Sequence, residues 1–291
     1  MTVPARPTPL FADIADVSRR LAETGYLPDT ATATAVFLAD RLGKPLQVEG
    51  PAGVGKTELA RAVAQATGSG LVRLQCYEGV DEARALYEWN HAKQILRIQA
   101  GSGDWVATKT DVFSEEFLLQ RPLLTAIRRT EPTVLLIDET DKADIEIEGL
   151  LLEVLSDFAV TVPELGTLTA TRAPFVLLTS NATRELSEAL KRRCLYLHID
   201  FPTPELERRI LLSRVPELPE HFAEELVRII GVLRGMQLKK VPSIAETIDW
   251  GRTVLALGLD TIDDAVVAAT LGVVLKHQSD QQRATGELRL N

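Results

Sequence analysis

The chain has 291 residues and an ordinary globular composition, with 45% hydrophobic and 25% charged residues, which excludes a disordered or fibrous protein. Its 41 acidic residues outnumber the 32 Lys and Arg residues, and the formal charge of −9 argues against a protein that binds nucleic acid or anionic lipid. The two cysteines are far apart in sequence, and neither a signal peptide nor an apolar run of membrane-spanning length is found. We therefore expect a cytoplasmic protein without membrane insertion.

Predicted helices and strands alternate through the first two thirds of the chain. The spacing of apolar residues predicts helices over residues 10–23 and 30–42. Short apolar runs are then typical of buried parallel strands, over residues 45–50, 71–75, 133–138, 174–180 and 194–200. This alternation predicts an α/β fold with a three-layer core around a parallel five-stranded sheet.

The sequence also predicts insertions in this core and an all-helical region after it. Residues 80–89 have the pattern of a helix, and residues 94–109 that of a hairpin with a Gly-rich tip. A helix over 146–158 precedes a second predicted hairpin over 160–169. From residue 203 onward no strand-like run occurs, and about four helices are predicted. We therefore expect three parts: an N-terminal arm and helix (1–29), an α/β nucleotide-binding core with hairpin inserts (30–202) and a small helical lid (203–291).

A phosphate-binding loop is predicted directly after the first strand. The match to G-x-x-x-x-G-K-[ST], with the helical residue that follows it, comprises Gly50, Pro51, Ala52, Gly53, Val54, Gly55, Lys56, Thr57 and Glu58. Glycines let backbone N–H groups converge on phosphates, Lys56 reaches the outer phosphates, and Thr57 offers a hydroxyl to Mg²⁺. Because the motif follows a strand and opens a helix, it predicts nucleotide binding rather than a simple Gly-rich turn.

A pair of acids ends the strand over residues 133–138. Asp138 is predicted at the carboxyl edge of the sheet, where ligands bind in open α/β sheets, and it can hold Mg²⁺ through water. Glu139 is the candidate for polarising the attacking water. The segment Asp141-Lys142-Ala143-Asp144 lacks the Asn of the guanine-reading signature and follows the wrong strand for it. Adenine, and hence ATP, is therefore the preferred nucleotide.

Two further features carry less weight on their own. Asn181 ends the next strand, where its amide can orient water or contact the γ-phosphate. A purely structural role, in which Asn181 caps the following turn, is an equally strong interpretation of the same residue. Lys191, Arg192 and Arg193 form a basic triplet of the kind that is more often a solvated surface. In ring ATPases, however, an arginine from the neighbouring subunit completes the site.

With these four elements in this order, the sequence resembles AAA+ ATPases over residues 43–276. The resemblance identifies Asn181 as sensor 1 and Arg193 as the arginine finger, with Arg192 as the alternative. Within AAA+ proteins, three runs are similar to the MoxR family and to its CoxD-like subgroup: LQCYEGVDEARALYEWN, LIDETDKAD and LLLEVLSDFAVTVPELGT. That subgroup is associated with carbon monoxide dehydrogenase-type molybdenum enzymes.

This resemblance implies an ATPase that uses ATP and Mg²⁺ in a homo-oligomeric ring, with a hexamer expected. It also implies a client that is a molybdenum-containing metalloenzyme, or a partner that carries a von Willebrand A domain. One departure concerns the lid, where MoxR proteins usually place an arginine after a proline. Here Ser243 follows Pro242, and Lys239 or Lys240 is either its replacement or a solvated residue.

Two alternatives to this function are a DNA-acting AAA+ ATPase and a nucleotide-switched scaffold with little turnover. The acidic balance argues against the first, as do the predicted hairpin tips, which carry no Lys or Arg. The complete set of catalytic candidates argues against the second.

Overall fold

The computed structural model describes residues 9–100, 111–259 and 261–288 of the chain. Its strands are, in chain order, β1 (Leu46–Glu49), β2 (Gly70–Gln75), β3 (Tyr87–Trp89), β4 (Leu118–Gln120), β5 (Thr133–Asp138), β6 (Ala159–Val162), β7 (Gly166–Thr169), β8 (Phe175–Ser180) and β9 (Leu195–His198). The helices of the first two hundred residues are α1 (Ile14–Glu23), α2 (Thr30–Leu42), α3 (Lys56–Thr67), α4 (Glu82–Ala85), α5 (His91–Ala100), α6 (Pro122–Arg128), α7 (Ile145–Asp157) and α8 (Glu188–Lys191). The later helices are α9 (Pro204–Arg214), α10 (Glu220–Gly235), α11 (Ile244–Ala256), α12 (Asp264–Val274) and α13 (Gln278–Glu287).

Five of the strands form one parallel sheet in the order β2-β5-β8-β1-β9, which confirms the predicted α/β fold and its five-stranded sheet. Every residue of β5 and of β8 is buried, as expected for continuous apolar runs covered by helices on both faces. The edge strands β2 and β9 alternate more with polar residues and are only partly buried. Because all five strands run in one direction, the residues that follow them lie along the same edge of the sheet.

The chain divides into two compact units. The first contains residues up to Thr24, Pro28–Glu49 and Thr57–His198, and the sheet belongs to it. The second contains Gly25–Leu27, Gly50–Lys56 and the residues from Ile199 onward. Among the residues that the structure describes, no helix is both long and apolar enough to cross a membrane.

The helical part of the second unit is built by recognisable end signals. Thr203 caps α9 by accepting a hydrogen bond from the Leu206 backbone N–H, and Pro204 takes the first helical position. Ser243 and Glu246 form a capping box at the start of α11, as their spacing predicts. Between residues 203 and 288, leaving out residue 260, five helices are present, one more than the predicted four.

Two predictions in the first inserted region are wrong. Of residues 80–89, only Glu82–Ala85 is helical, because Tyr87–Trp89 pairs as an antiparallel strand with Leu118–Gln120. Residues 94–100, predicted as the first strand of a hairpin, lie in helix α5. The reason is Asn90, whose side chain accepts a hydrogen bond from the Lys93 backbone N–H at 3.0 Å and so starts the helix. The tip and second strand of that hairpin lie outside the described residues.

The second predicted hairpin is confirmed. Strands β6 and β7 pair antiparallel across a short turn, with Val162 opposite Gly166. The preceding helix α7 ends at Phe158, which adopts a left-handed backbone with φ of 48° and turns the chain into β6.

Candidate nucleotide-binding site

The glycines of the predicted phosphate-binding loop, Gly50–Lys56, are required by their surroundings within the second unit. A Cβ at Gly50 would lie 1.9 Å from the carbonyl oxygen of Ile199, so no side chain fits there. Gly53 has a φ of +79°, and its Cβ would lie 2.3 Å from the Cβ of Ser243. The loop therefore presents bare backbone, as phosphate binding demands.

Lys56 ends this loop and begins helix α3. The residue is 6% exposed, and its ammonium donates hydrogen bonds to the carbonyl oxygens of Gly50 and Pro51, both at 2.7 Å. Within the same segment Ala52 and Gly53 are exposed, Val54 is buried, and Gly55 is half-buried. The buried ammonium is thus hydrogen-bonded to the first two residues of a loop whose next two residues, Ala52 and Gly53, are exposed. Glu58 follows in the first turn of α3 and is half-buried.

In the first unit, the structure brings together two residues that lie 81 positions apart. The Thr57 hydroxyl lies 3.0 Å from Oδ1 of Asp138 and 3.3 Å from its Oδ2. Asp138 is the last residue of β5 and is 2% exposed. The Thr179 hydroxyl, on neighbouring β8, donates to Oδ1 of Asp138 at 2.5 Å. A hydroxyl and a carboxylate are hard oxygen donors of the kind that Mg²⁺ prefers, so these residues fit that ion.

The Asp138 carboxylate also has a cationic neighbour that was not predicted from the sequence. Nη2 of Arg73, on β2, lies 2.5 Å from Oδ2 of Asp138. The same nitrogen donates to the side-chain oxygen of Gln75. In the register of β2 and β5, Gln75 lies opposite Asp138 and Arg73 opposite Leu136. The available signal was the alternation of Arg73 and Gln75 within the run LVRLQ, which places both polar side chains on one face of the strand.

Glu139 lies directly beyond the strand in an unusual conformation. Its φ of 58° places it in the left-handed region, which costs energy for a residue with a side chain and is concentrated at functional sites. Its carboxylate accepts hydrogen bonds from the Gln75 amide at 3.1 Å and from the Lys142 ammonium at 2.6 Å. The hydrogen bond from Lys142 to Glu139 raises the pKa of the lysine above its ordinary value. The carboxylate that was predicted to activate water is therefore bound to two donors.

Asn181 lies immediately after β8 and is half-buried, and the residue after it, Ala182, has a φ of 57°. This turn is fixed by Asp141, which accepts hydrogen bonds from the backbone N–H of Thr183 at 3.1 Å and from its hydroxyl at 2.5 Å. Burial alone would raise the pKa of Asp141, but the hydrogen bonds from Thr183, together with those from the backbone of Asn181 and of Asp141 itself, outweigh it, and the pKa is lowered. Asp141 is 3% exposed and was considered in the sequence only as a possible guanine contact.

The predicted arginines lie elsewhere on the surface of the first unit. Arg193 is exposed and donates to the Ser156 hydroxyl at 2.7 Å and to the carbonyl oxygen of Ala189 at 3.1 Å. Arg192 is exposed at the end of α8. Within the described part of the chain, neither arginine contacts Asp138 or Glu139.

Comparison with curated proteins finds similarity to chaperone proteins and to a gas vesicle ATPase. The chain is 34% identical over 139 residues to the chaperone protein ClpB 2 of Thermosynechococcus vestitus, an alignment that covers 47% of this chain and 13% of that protein. It is 26% identical over 234 residues to the gas vesicle ATPase GvpN of Haloferax mediterranei, which covers 77% of this chain and 64% of that protein. It is 23% identical over 219 residues to the chaperone protein ClpB of Chlamydia pneumoniae, which covers 71% of this chain. The chain thus spans only 23% of the length of that ClpB.

Among solved structures, the chain is similar to a P216G mutant of RuvB from Thermotoga maritima. The TM-score is 0.51 with 18% sequence identity, over 92% of this chain and 73% of that one, and the likeness concerns the fold. Residues 45–194 match the AAA domain of the dynein-related subfamily. Because that match covers more than half of its 291 residues, the chain belongs to this AAA domain family.

Proposed function

We propose that the protein binds ATP with Mg²⁺ and hydrolyses it to ADP and phosphate. The observation that carries the proposal is the 3.0 Å contact between the Thr57 hydroxyl and the Asp138 carboxylate, which joins the phosphate-binding motif to the acidic strand end. Residues 30–202 are proposed as the nucleotide-binding core and residues 203–291 as a helical lid, preceded by an arm and helix over 1–29.

Each motif residue has a proposed part in this reaction. The backbone N–H groups of Gly50–Lys56 and the Lys56 ammonium bind the phosphates, and Thr57 with Asp138 holds the metal ion. The bound metal ion would supply positive charge to the phosphate oxygens. Glu139 orients and polarises the attacking water, and Asn181 aids in holding that water or the γ-phosphate.

Glu139→Gln and Lys56→Ala together test this assignment. Glu139→Gln removes the water-polarising charge but not the phosphate contacts, so it should retain ATP binding and lose turnover by about 10²–10⁴-fold, the usual contribution of such a group. Lys56→Ala should lose the binding itself. Binding is measured with a fluorescent ATP analogue and turnover by phosphate release. Full turnover in Glu139→Gln would refute the role of Glu139, and unchanged binding in Lys56→Ala would refute the phosphate site.

We propose that hydrolysis requires a ring of copies, with a hexamer expected, in which an arginine of one copy reaches the site of the next. Arg193 is the first candidate and Arg192 the second, since both are exposed. Arg193→Ala should abolish hydrolysis, and mixing it with Lys56→Ala should restore part of it, because some interfaces then combine an intact arginine with an intact phosphate site. Arg192→Ala is the matched comparison. Absence of rescue in the mixtures for both variants would contradict action between copies.

We further propose a MoxR-type function, in which ATP turnover remodels or matures a client, on the strength of the three sequence runs that resemble the CoxD-like subgroup. The client would be a molybdenum-containing metalloenzyme, and a von Willebrand A domain protein would act with it. Glu139→Gln should trap such a partner in the presence of ATP, with Lys56→Ala as the control that cannot bind nucleotide. Mass spectrometry of co-purified proteins that finds neither class with Glu139→Gln would contradict this proposal.

A further inference from the structure

Asp138 is a buried carboxylate that already has a cation as its neighbour. Only 3% of its side chain is exposed, and one of its oxygens, Oδ2, lies 2.5 Å from Nη2 of Arg73. The other oxygen accepts the Thr179 hydroxyl at 2.5 Å. A carboxylate taken out of water without a compensating charge is strongly disfavoured, and Arg73 supplies that compensating charge to Asp138.

Arg73 differs in exposure from the carboxylate that it contacts. Its side chain is 43% exposed, so the guanidinium reaches Asp138 from the solvent side and is free to leave without opening the core. The strand register explains the reach, since Arg73 is paired with Leu136, two residues before Asp138 on the same face of the sheet. The contact is thus an ion pair between the buried carboxylate of Asp138 and the exposed, movable guanidinium of Arg73.

We propose that Arg73 is a place-holding cation, which neutralises Asp138 until Mg²⁺ arrives with the nucleotide and which must yield Oδ2 for the ion to bind. The inference rests on the proposed function, since it takes Asp138 to be a magnesium residue. Two cations that compete for one carboxylate weaken each other's binding, because like charges at close range repel. Arg73 therefore raises the Mg²⁺ concentration that the site needs.

The arginine is also connected to Glu139 through one side chain. Nη2 of Arg73 donates to the Gln75 oxygen, while the Gln75 amide nitrogen donates to Oε2 of Glu139 at 3.1 Å. The bond from Arg73 fixes which end of the Gln75 amide points toward Glu139. Arg73 is therefore linked to the water-activating carboxylate as well as to the metal carboxylate, through a Gln75 amide whose nitrogen also donates to the Cys76 carbonyl oxygen at 3.3 Å.

The test measures how nucleotide binding depends on Mg²⁺, not turnover. Arg73→Met removes the charge and keeps the length of the side chain, and Arg73→Lys keeps the charge as the matched control. All variants carry Glu139→Gln so that a fluorescent ATP analogue is not consumed. At fixed nucleotide, the half-saturating Mg²⁺ concentration should fall about tenfold in Arg73→Met, which is about 1.4 kcal/mol, and change little in Arg73→Lys.

A second measurement needs no nucleotide. In the metal-free protein, Arg73→Met should lower the melting temperature. Mg²⁺ alone at millimolar concentration should then raise the melting temperature of Arg73→Met by more than it raises that of the wild type. Arg73→Gln provides a second uncharged variant should Arg73→Met not fold. In a chain that also carries Asp138→Asn, the same arginine substitution should lower the melting temperature much less.

The outcomes separate this inference from the proposed function. An unchanged or higher half-saturating Mg²⁺ concentration in both uncharged variants, with ATP bound normally, would overturn the place-holder and leave the ATP site standing. Failure of every variant and of the wild type to bind the analogue at any Mg²⁺ concentration would overturn both.

Discussion

Substitution of Gly53 by alanine probes the contact between the phosphate-binding loop and residue 243. Gly53 has a φ of +79°, and an added Cβ would lie 2.3 Å from Cβ and 2.7 Å from Oγ of Ser243. The left-handed backbone costs an L-residue about 1–2 kcal/mol. Overpacking against a neighbour that cannot move freely adds about 1–3 kcal/mol. We therefore expect Gly53→Ala to lower the free energy of unfolding of the second unit by about 2–5 kcal/mol.

Two comparisons separate the backbone cost from the steric cost. Gly25 has a φ of +81° and belongs to the same unit, but a Cβ there would meet only the Arg214 side chain, at 3.8 Å. Gly25→Ala should therefore cost the backbone share alone. Ser243→Gly removes the atoms that clash, and glycine is a tolerable N-cap that costs only a few tenths of a kcal/mol. In the Gly53→Ala background, Ser243→Gly should recover about 1–3 kcal/mol of the loss.

The assay is urea denaturation followed by tryptophan fluorescence, since the fully buried Trp250 lies in the second unit. The wild type, Gly53→Ala, Gly25→Ala and the Gly53→Ala variant with Ser243→Gly are also compared for binding of a fluorescent ATP analogue. Gly53→Ala should weaken this binding because the loop is displaced. Equal losses of stability in Gly53→Ala and Gly25→Ala, or no recovery with Ser243→Gly, would refute the reasoning about this contact.

Three further predictions concern the residues around the acidic strand end. Asp141→Ala should lower kcat with little change in the KM for ATP, and Asp141→Asn should restore kcat. Because the pKa of Asp141 is lowered, its contribution to stability is complete above the ordinary carboxyl pKa of 3.8 and is lost as the pH falls through the lowered value. Urea unfolding of Asp141→Ala and of the wild type should therefore differ at pH 7 and converge in strong acid. Lys142→Met should raise basal phosphate release a few-fold by freeing Glu139, whereas Lys191→Met, at another exposed Lys–Glu contact, should not; a fall with Lys142→Met would contradict this. Burial and the nearby acids raise the pKa of Cys76 to about 12, so a thiol reagent at pH 8 should modify it only after unfolding, and equal rates in native and unfolded protein would contradict that.

The sheet was predictable from the sequence because its strands are continuous apolar runs with glycine and helical signals between them. Burial on both faces requires such runs, and β5 and β8 meet this requirement at every position. The inserted region was less predictable, since β3 exists only through pairing with β4, some thirty residues later in the chain. Local propensity carries no information about that partner.

The site shows the same division between local and distant information. Lys56, Thr57, Asp138 and Glu139 belong to motifs whose chemistry is legible in a few consecutive residues, and the structure places Thr57 and Asp138 in contact. The contacts that Arg73, Gln75 and Asp141 make in the site depend on which strands are neighbours in the folded sheet. The register that sets Gln75 opposite Asp138 is a property of the folded sheet, so no spacing in the sequence announces it.

The serine at position 243, where the resemblance leads one to expect an arginine, has a structural explanation within the second unit. Its hydroxyl and backbone N–H both donate to the carboxylate of Glu246, which lies in the first turn of helix α11, and arginine cannot supply that hydroxyl. The preceding residue is held as well, because the Pro242 carbonyl accepts from Nε of Arg234 at 2.9 Å. Arg234 is itself committed to the buried carboxylate of Glu207, through contacts of 2.5 and 2.8 Å.

Replacing Ser243 by arginine would therefore add a positive charge and remove a helix cap. Residue 243 also abuts the loop, since a Cβ added at Gly53 would collide with the Ser243 side chain. The cap is worth about 1 kcal/mol, and the buried pair beneath it would cost about 3–5 kcal/mol if one partner were removed. Position 243 is thus fixed by two contacts at once, one that begins the helix and one that abuts the phosphate-binding loop.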